Sequence, residues 1–203
     1  AYLASRLSAM LPDDACFVDE TTTHRITLQN FLPWDDAFKY VKVPTGLGQG
    51  LGVALGVKLA MRDRLVVSVI GDGGFLYNPI PQSLGVARDE DLPIMIVIFN
   101  NGEYRAMKNN QLSYYPDGVG HQSGIFLGAK INSVDYSEMV APFGGFGIKV
   151  EDPAELDAAL EAGMKAVEDG KTAIINANKT AGMSVSLMYL LIVKPQVFKT
   201  VSE

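Results

Sequence analysis

The sequence predicts an α/β fold: a three-layer α/β/α sandwich on a mostly parallel sheet of about six strands. Two observations carry this. Short segments rich in β-branched residues recur between helical patterns. Those segments are near-continuously apolar rather than alternating, as strands are when a parallel sheet is buried on both faces. Alternation of strand and helix then implies right-handed crossovers, with helices covering both faces.

Taken in order, AYLASRLSAMLPDD at the N-terminus reads as an amphipathic helix with a Pro-Asp stop. Strands are expected over residues 15–18, 40–43, 65–70, 94–99, 147–150 and 173–177. Helices are expected over 48–61 and 81–88, with a short, weak one over 136–141. The clearest helix spans 153–168: Asp152 is its cap, Pro153 lies in its first turn, and Leu156, Leu160, Met164 and Val167 form its apolar stripe. Residues 109–133 show no clean period and read as a long loop, a feature often tied to function in compact domains. The main domain therefore spans 1–180. A tail over 181–203 contains SLMYLLIV, which reads as a helix docked either on a partner or on the home sheet.

Composition narrows the function classes. A net charge of -6 over 203 residues offers no basic footprint for nucleic acid. Apolar runs such as Leu187 to Val193 fall far short of the roughly 20 residues of a membrane span. No secretory signal is visible. The single cysteine, Cys16, excludes an internal disulfide and reads as an inert core residue of a reducing, cytoplasmic compartment.

Chemistry concentrates in residues 71–104, GDGGFLYNPIPQSLGVARDEDLPIMIVIFNNGEY. Asp72 follows an apolar strand, so it sits at the carboxyl edge where open α/β sheets bind ligands. Gly71 and Gly73 leave the backbone room beside a bulky anionic group. A carboxylate repels a phosphate unless a divalent cation stands between them, so Asp72 reads as a hard oxygen ligand for Mg²⁺ or Ca²⁺. The next strand ends in Asn100-Asn101, and an amide oxygen is a neutral hard ligand. Adjacent parallel strands end side by side, which lets Asp72 and Asn101 face one ion. The turn that follows, Asn101-Gly102-Glu103-Tyr104, offers a backbone carbonyl as a third ligand. This geometry favours Mg²⁺ bridging the protein to a diphosphate. A dinucleotide fold fits less well, because Gly46-Leu47-Gly48-Gln49-Gly50 lacks the expected acid at the end of the following strand.

GDG, about thirty residues, then NN resembles the signature of thiamine diphosphate (ThDP)-dependent enzymes. Thr45-Gly46-Leu47-Gly48 followed by QGLGVALGVKLA is similar to the Gly-rich turn and helix of the 2-oxoacid decarboxylase and acetolactate synthase group. ValAspGluThrThrThr at 18–23 resembles that domain's strand-end hydroxyl cluster, and AsnAsnGlyGluTyr at 100–104 most resembles the benzoylformate decarboxylase branch. The resemblance covers about residues 1–180, the diphosphate-binding domain.

It implies that Asp72 and Asn101 bind Mg²⁺ through side chains and Glu103 through its main-chain carbonyl. Thr22 and Thr23 would donate to the diphosphate, with the Gly73 and Gly74 amides and the Tyr104 hydroxyl completing the cradle beside Gly71. The Thr45 carbonyl would accept from the cofactor's 4′-amino group. Next to Gly46, Leu47 would sit beneath the ring junction and hold a near-attack geometry. Gly74 departs from the family pattern, where Ser is common, and the spacing from Asp72 to Asn101 is slightly long. The implied reaction is decarboxylation or carboligation of a small-molecule 2-oxoacid, with the cofactor's ylid adding to the carbonyl. An acetolactate synthase-like transferase, a flavin-containing oxidoreductase and a catalytically silent assembly domain remain open. The activating glutamate of the family lies on a pyrimidine-binding domain that these residues do not contain. That domain is expected on the same longer polypeptide or on a separate subunit, in a homodimer, tetramer or hetero-oligomer. No catalytic residue is assigned in this chain. Glu20 reads as a solvated or capping acid; His24 is a candidate to meet the diphosphate, with a structural or surface role as the alternative; and Met107 and the Tyr114-Tyr115 pair are candidates to shape the substrate pocket, with loop packing as the alternative.

Overall fold

The computed structural model describes residues 1–32, 36–43, 46–132 and 134–178. Thr45 and the tail over 181–203 lie outside these described residues. Six strands form one sheet: β1 (Cys16–Glu20), β2 (Tyr40–Lys42), β3 (Val66–Gly71), β4 (Met95–Asn100), β5 (Phe146–Val150) and β6 (Ala173–Asn178). Their order is β2-β1-β3-β4-β6-β5, and every pairing is parallel.

The unbroken apolarity of the strands follows from two separate cores. Phe17, Val67, Val69, Met95, Val97 and Ile175 face one layer. Helices α1 (Tyr2–Met10), α2 (Arg25–Phe31) and α8 (Leu156–Glu168) cover it with Leu3, Leu7, Leu28, Leu156 and Leu160. Cys16, Val18, Val66, Ile70, Ile96, Ile98 and Ile174 face the other. There, α3 (Gly50–Ala60) and α5 (Ile80–Asp89) supply Leu51, Leu55 and Leu84. Successive residues point to opposite faces, so both sets must be apolar. Each fully buried Leu or Ile contributes about 2 kcal/mol. Packing of this kind, rather than helix propensity, holds α3, whose sequence GLGVALGVKLA carries three glycines.

Helix α8 forms as expected: Asp152 accepts from the Ala154 amide at 2.9 Å, Pro153–Glu155 makes a 3₁₀ turn, and Leu156 and Leu160 are fully buried. The region over 136–141 is a 3₁₀ helix, Tyr136–Phe143, with Pro142 inside. Four helices depart from the expectation, the first being α2 (Arg25–Phe31), in a stretch for which the sequence predicts no element. Arg105–Tyr114 (α6) and Val119–Ser123 (α7) occupy part of the stretch read as a loop. Helix α6 has no buried residue, so it lacks the apolar period by which helices are recognised. The short α4 (Asp72–Tyr77) directly follows β3, where two adjacent glycines conceal it.

A buried polar chain ties the carboxyl ends of β4 and β6 together. The Asn100 amide donates to Asn176 Oδ1 at 3.1 Å, and the Asn176 amide donates to Asp135 at 3.1 Å. Asp135 also caps the 3₁₀ helix, accepting from the Ser137 amide at 3.0 Å. Burial pushes the Asp135 carboxyl up, but hydrogen bonds from Ser137 and Asn176 outweigh it and hold the group below its ordinary value. A depressed carboxyl adds stability that is complete above the ordinary carboxylate range and is lost as pH falls through the lowered value. Asp135→Asn is therefore expected to lower stability at neutral pH. Urea unfolding across pH checks this: the gap between variant and parent should close in strong acid.

Candidate functional site

Strands β1 and β3 are neighbours, but the chain leaves β1 toward β2 on one side and β3 toward β4 on the other. The carboxyl edge between them is a topological switch point, where α/β sheets open a crevice. A cleft of about 270 Å³ lies there. Its lining includes Thr22, Thr23, Gly46, Leu47, Gly71, Asp72, Gly73, Gly74, Asn101, Glu103 and Tyr104. Every described residue singled out as a cofactor or metal candidate therefore meets in one place. His24 and Met107 line it too, whereas Tyr114 and Tyr115 are exposed and stand outside. A larger cleft of about 470 Å³ opens at the other end of the sheet, around Lys58, Arg62 and Asp63. No sequence candidate faces it, so size does not select the site.

Three carboxylates crowd this edge, and each is satisfied differently. Asp19 is fully buried and accepts from the Thr21 amide and hydroxyl, both at 2.6 Å. Arg25 (3.3 Å) and the Tyr40 hydroxyl complete its shell. Burial first, then this bond to Asp19, pushes the Tyr40 hydroxyl far up. The bend thus fixed after β1 leaves Thr22 and Thr23 exposed in the cleft.

Glu20 is only 3% exposed. It accepts from the amides of Gly48 (2.6 Å), Gln49 (2.9 Å) and Gly50 (3.1 Å), and from the Asn78 side chain (2.8 Å). It is a capping acid of α3, not a solvated one.

Asp72 is 1% exposed and accepts from the Gly73 amide (2.9 Å) and the Gly102 amide (2.7 Å). The second bond joins the two motifs directly. Among the described residues no cationic side chain pairs with Asp72. Burial raises its pKa, and the backbone amides only partly oppose this.

The two asparagines divide their work. Asn100 turns into the sheet, 3% exposed, and bonds Asn176, while Asn101 faces the cleft. Asn101 Oδ1 accepts from the Glu103 amide at 3.0 Å, which sets the turn. The Glu103 carbonyl accepts from the Arg105 amide at 2.8 Å. Its carboxylate holds Arg105 at 2.6 Å and Lys108 at 3.4 Å. Burial alone would raise the Glu103 pKa, but the two cations reverse this and lower it. The Tyr104 ring lies across Gly73, where a Cβ would stand 2.7 Å from it. The room that Gly73 provides is thus used first by Tyr104. Burial raises the Tyr104 hydroxyl pKa, as do Tyr77 and Asp72 beside it.

Sequence reasoning missed Asn78, whose amide nitrogen reaches both Glu20 and the Gly74 carbonyl (2.9 Å) and whose oxygen accepts from the Leu51 amide (3.0 Å). Its only trace in the sequence is the Asn78-Pro-Ile-Pro break before α5. Arg105 in the cleft wall left no signal at all.

The family model for the C-terminal TPP binding domain of thiamine pyrophosphate enzymes matches residues 20–177. The chain is 28% identical over 167 residues to an acetolactate synthase isozyme 3 large subunit of Escherichia coli, covering 80% of this chain and 27% of that protein. It is 33% identical over 134 residues to a 2-hydroxyacyl-CoA lyase of rice, covering 64% and 21% respectively. Among solved structures, a ThDP-dependent 4-hydroxybenzoylformate decarboxylase of Rhodococcus jostii matches at a TM-score of 0.72 and 26% identity, over 87% of this chain and 31% of that one. The chain thus spans between a fifth and a third of the proteins it matches.

The turn into α3 depends on Gly48, which adopts φ +98° and whose added Cβ would stand 2.5 Å from the Tyr77 carbonyl oxygen. Gly48→Ala is expected to lose about 1–3 kcal/mol through backbone strain alone. Gly52→Ala, with open space at its Cβ on the exposed face of α3, is expected to be neutral or to gain up to about 1 kcal/mol. Denaturant melts of the two variants check the contrast.

Proposed function

The chain belongs to the C-terminal TPP-binding domain family of thiamine pyrophosphate enzymes, and on that premise we propose that its cleft holds Mg²⁺ and ThDP for the decarboxylation or carboligation of a 2-oxoacid. One observation carries the metal reading: a buried carboxylate, Asp72, keeps no cationic partner among the described residues and lies beside the Asn101 side chain. An isolated buried carboxylate is costly, and a cation offsets that cost. The donor set is all oxygen, with one carboxylate, one amide and the Glu103 carbonyl, as suits a Mg²⁺ that completes its shell with phosphate oxygens and water.

The diphosphate would lie against the Thr22 and Thr23 hydroxyls and the Gly74 amide, sharing the Gly73 amide with Asp72. Tyr104 closes the wall behind it. Leu47, 40% exposed in the cleft, is free to wedge between two rings. The bound cofactor supplies a thiazolium that stores the electrons released with CO₂. The chain's own residues bind, orient and exclude water. Glu20 is fully engaged by amide donors, so it is no acid for the pyrimidine. That group belongs to a pyrimidine-binding domain elsewhere on the polypeptide or on a partner subunit, in a dimer or larger assembly. Exposed Tyr77 and Met107 near the cleft, and Leu47 in its wall, suit such a cover. The likeness to the acetolactate synthase subunit keeps a transferase outcome as the second reading.

The test is thermal unfolding of the complete protein that carries this chain. ThDP with Mg²⁺ should stabilise it by about 2.7 kcal/mol at a hundred times Kd, and each alone by much less. Asp72→Asn should abolish the joint effect. Equal stabilisation of parent and variant would refute the metal assignment.

A further inference from the structure

The amino end of α3 resembles a phosphate cradle: a Gly-rich turn leads into a helix whose first amides point outward. That cradle is already filled. The amides of Gly48, Gln49, Gly50 and Leu51 would all lack intrahelical partners. Glu20 accepts the first three and Asn78 accepts the fourth. The Glu20 charge also suits the positive end of the helix.

The same pair reaches the opposite wall of the cleft. Asn78 donates to Glu20 and to the Gly74 carbonyl, so α4 is tied to the same joint. Two glycines leave space for it. A Cβ on Gly50 would stand 2.6 Å from Glu20 Oε2, and one on Gly74 would stand 3.3 Å from the Glu20 carbonyl oxygen. Three segments therefore meet at Glu20: β1, the turn that carries Leu47, and the helix that follows Asp72.

We infer that Glu20 is a positioning residue that sets the Leu47 turn against the diphosphate end of the cleft. The inference rests on the ThDP reading above. Its carboxylate touches no cofactor atom in that reading and acts through the backbone of residues 48–50. Removing its charge releases the turn while leaving Asp72, Asn101 and the Gly73 amide in place. The consequence is selective. Recognition of the ring half of the cofactor should suffer, and recognition of the metal-bound diphosphate should not.

Calorimetric titration of the complete protein with ThDP and Mg²⁺, and separately with inorganic pyrophosphate and Mg²⁺, tests this. Glu20→Gln is expected to weaken ThDP at least about tenfold while leaving pyrophosphate within about twofold. Gly50→Ala, which displaces the carboxylate without removing it, is expected to give the same signature. It keeps the test decisive if Glu20→Gln fails to fold. Asp72→Asn should weaken both ligands. Equal loss of both ligands in the folded Glu20 and Gly50 variants, or loss of neither, would overturn the inference. If the parent protein binds neither ligand, the ThDP reading itself falls, and the positioning role falls with it.

Discussion

The cleft depends on the parallel register between β3 and β4. Gly71 is paired with Phe99, so β4 runs only one residue past the end of β3. Asp72 and Asn101 are 29 residues apart in the chain, yet each is the first residue beyond its strand. The Gly102 amide then reaches Asp72 at 2.7 Å. A one-residue slip would turn every side chain of β4 to the wrong core. It would bury Asn101 in place of Asn100 and break the Asn100–Asn176–Asp135 chain behind it. Packing of two apolar layers thus enforces the placement of two polar groups.

The three carboxylates at this edge show how environment separates roles among similar side chains. Asp19 has a guanidinium and two hydroxyls, so its charge is spent on the bend after β1. Glu20 has four N–H donors and a helix terminus, which satisfy a buried anion without a counter-ion. Asp72 has only backbone amides, those of Gly102, Gly73, Asn101 and its own, with no side-chain donor, and burial outweighs them. Of the three, only Asp72 has no side-chain donor among the described residues, and it lines the cleft. A cation is stabilised most where the carboxylate is least compensated. Glu103 is the counterexample nearby: Arg105 and Lys108 both pair with its carboxylate.

Much of this was legible in the sequence, and the reasons are physical. Strands with two buried faces advertise themselves through unbroken apolarity, so the ends of all six lay within two residues of their expected positions. The motif 71–104 is local at each end, and strand-end placement follows from the apolar runs before it. Helix α6 was hidden because it buries nothing on this chain. The roles of Glu20 and Asn78 were hidden for a different reason. A capping acid supplied by a strand 30 residues before its helix leaves no spacing rule to read. The same holds for the division between Asn100 and Asn101, which only the register decides.

Gly74 stands against both Glu20 and Ile70. The family pattern often has Ser there, which adds a hydroxyl beside the phosphates. In this chain a Cβ at 74 would press on the Glu20 carbonyl oxygen and on Ile70, each at 3.3 Å. That distance is tighter than ordinary contact, so a side chain here requires β1 and α4 to part by a few tenths of an ångström. The same approach lets Asn78 span from the Gly74 carbonyl (2.9 Å) to Glu20 (2.8 Å). Loss of the hydroxyl and closeness of the joint are therefore linked. With no side chain at position 74, the helix after Asp72 lies close enough to β1 for Asn78 to tie it to the Leu47 turn through Glu20.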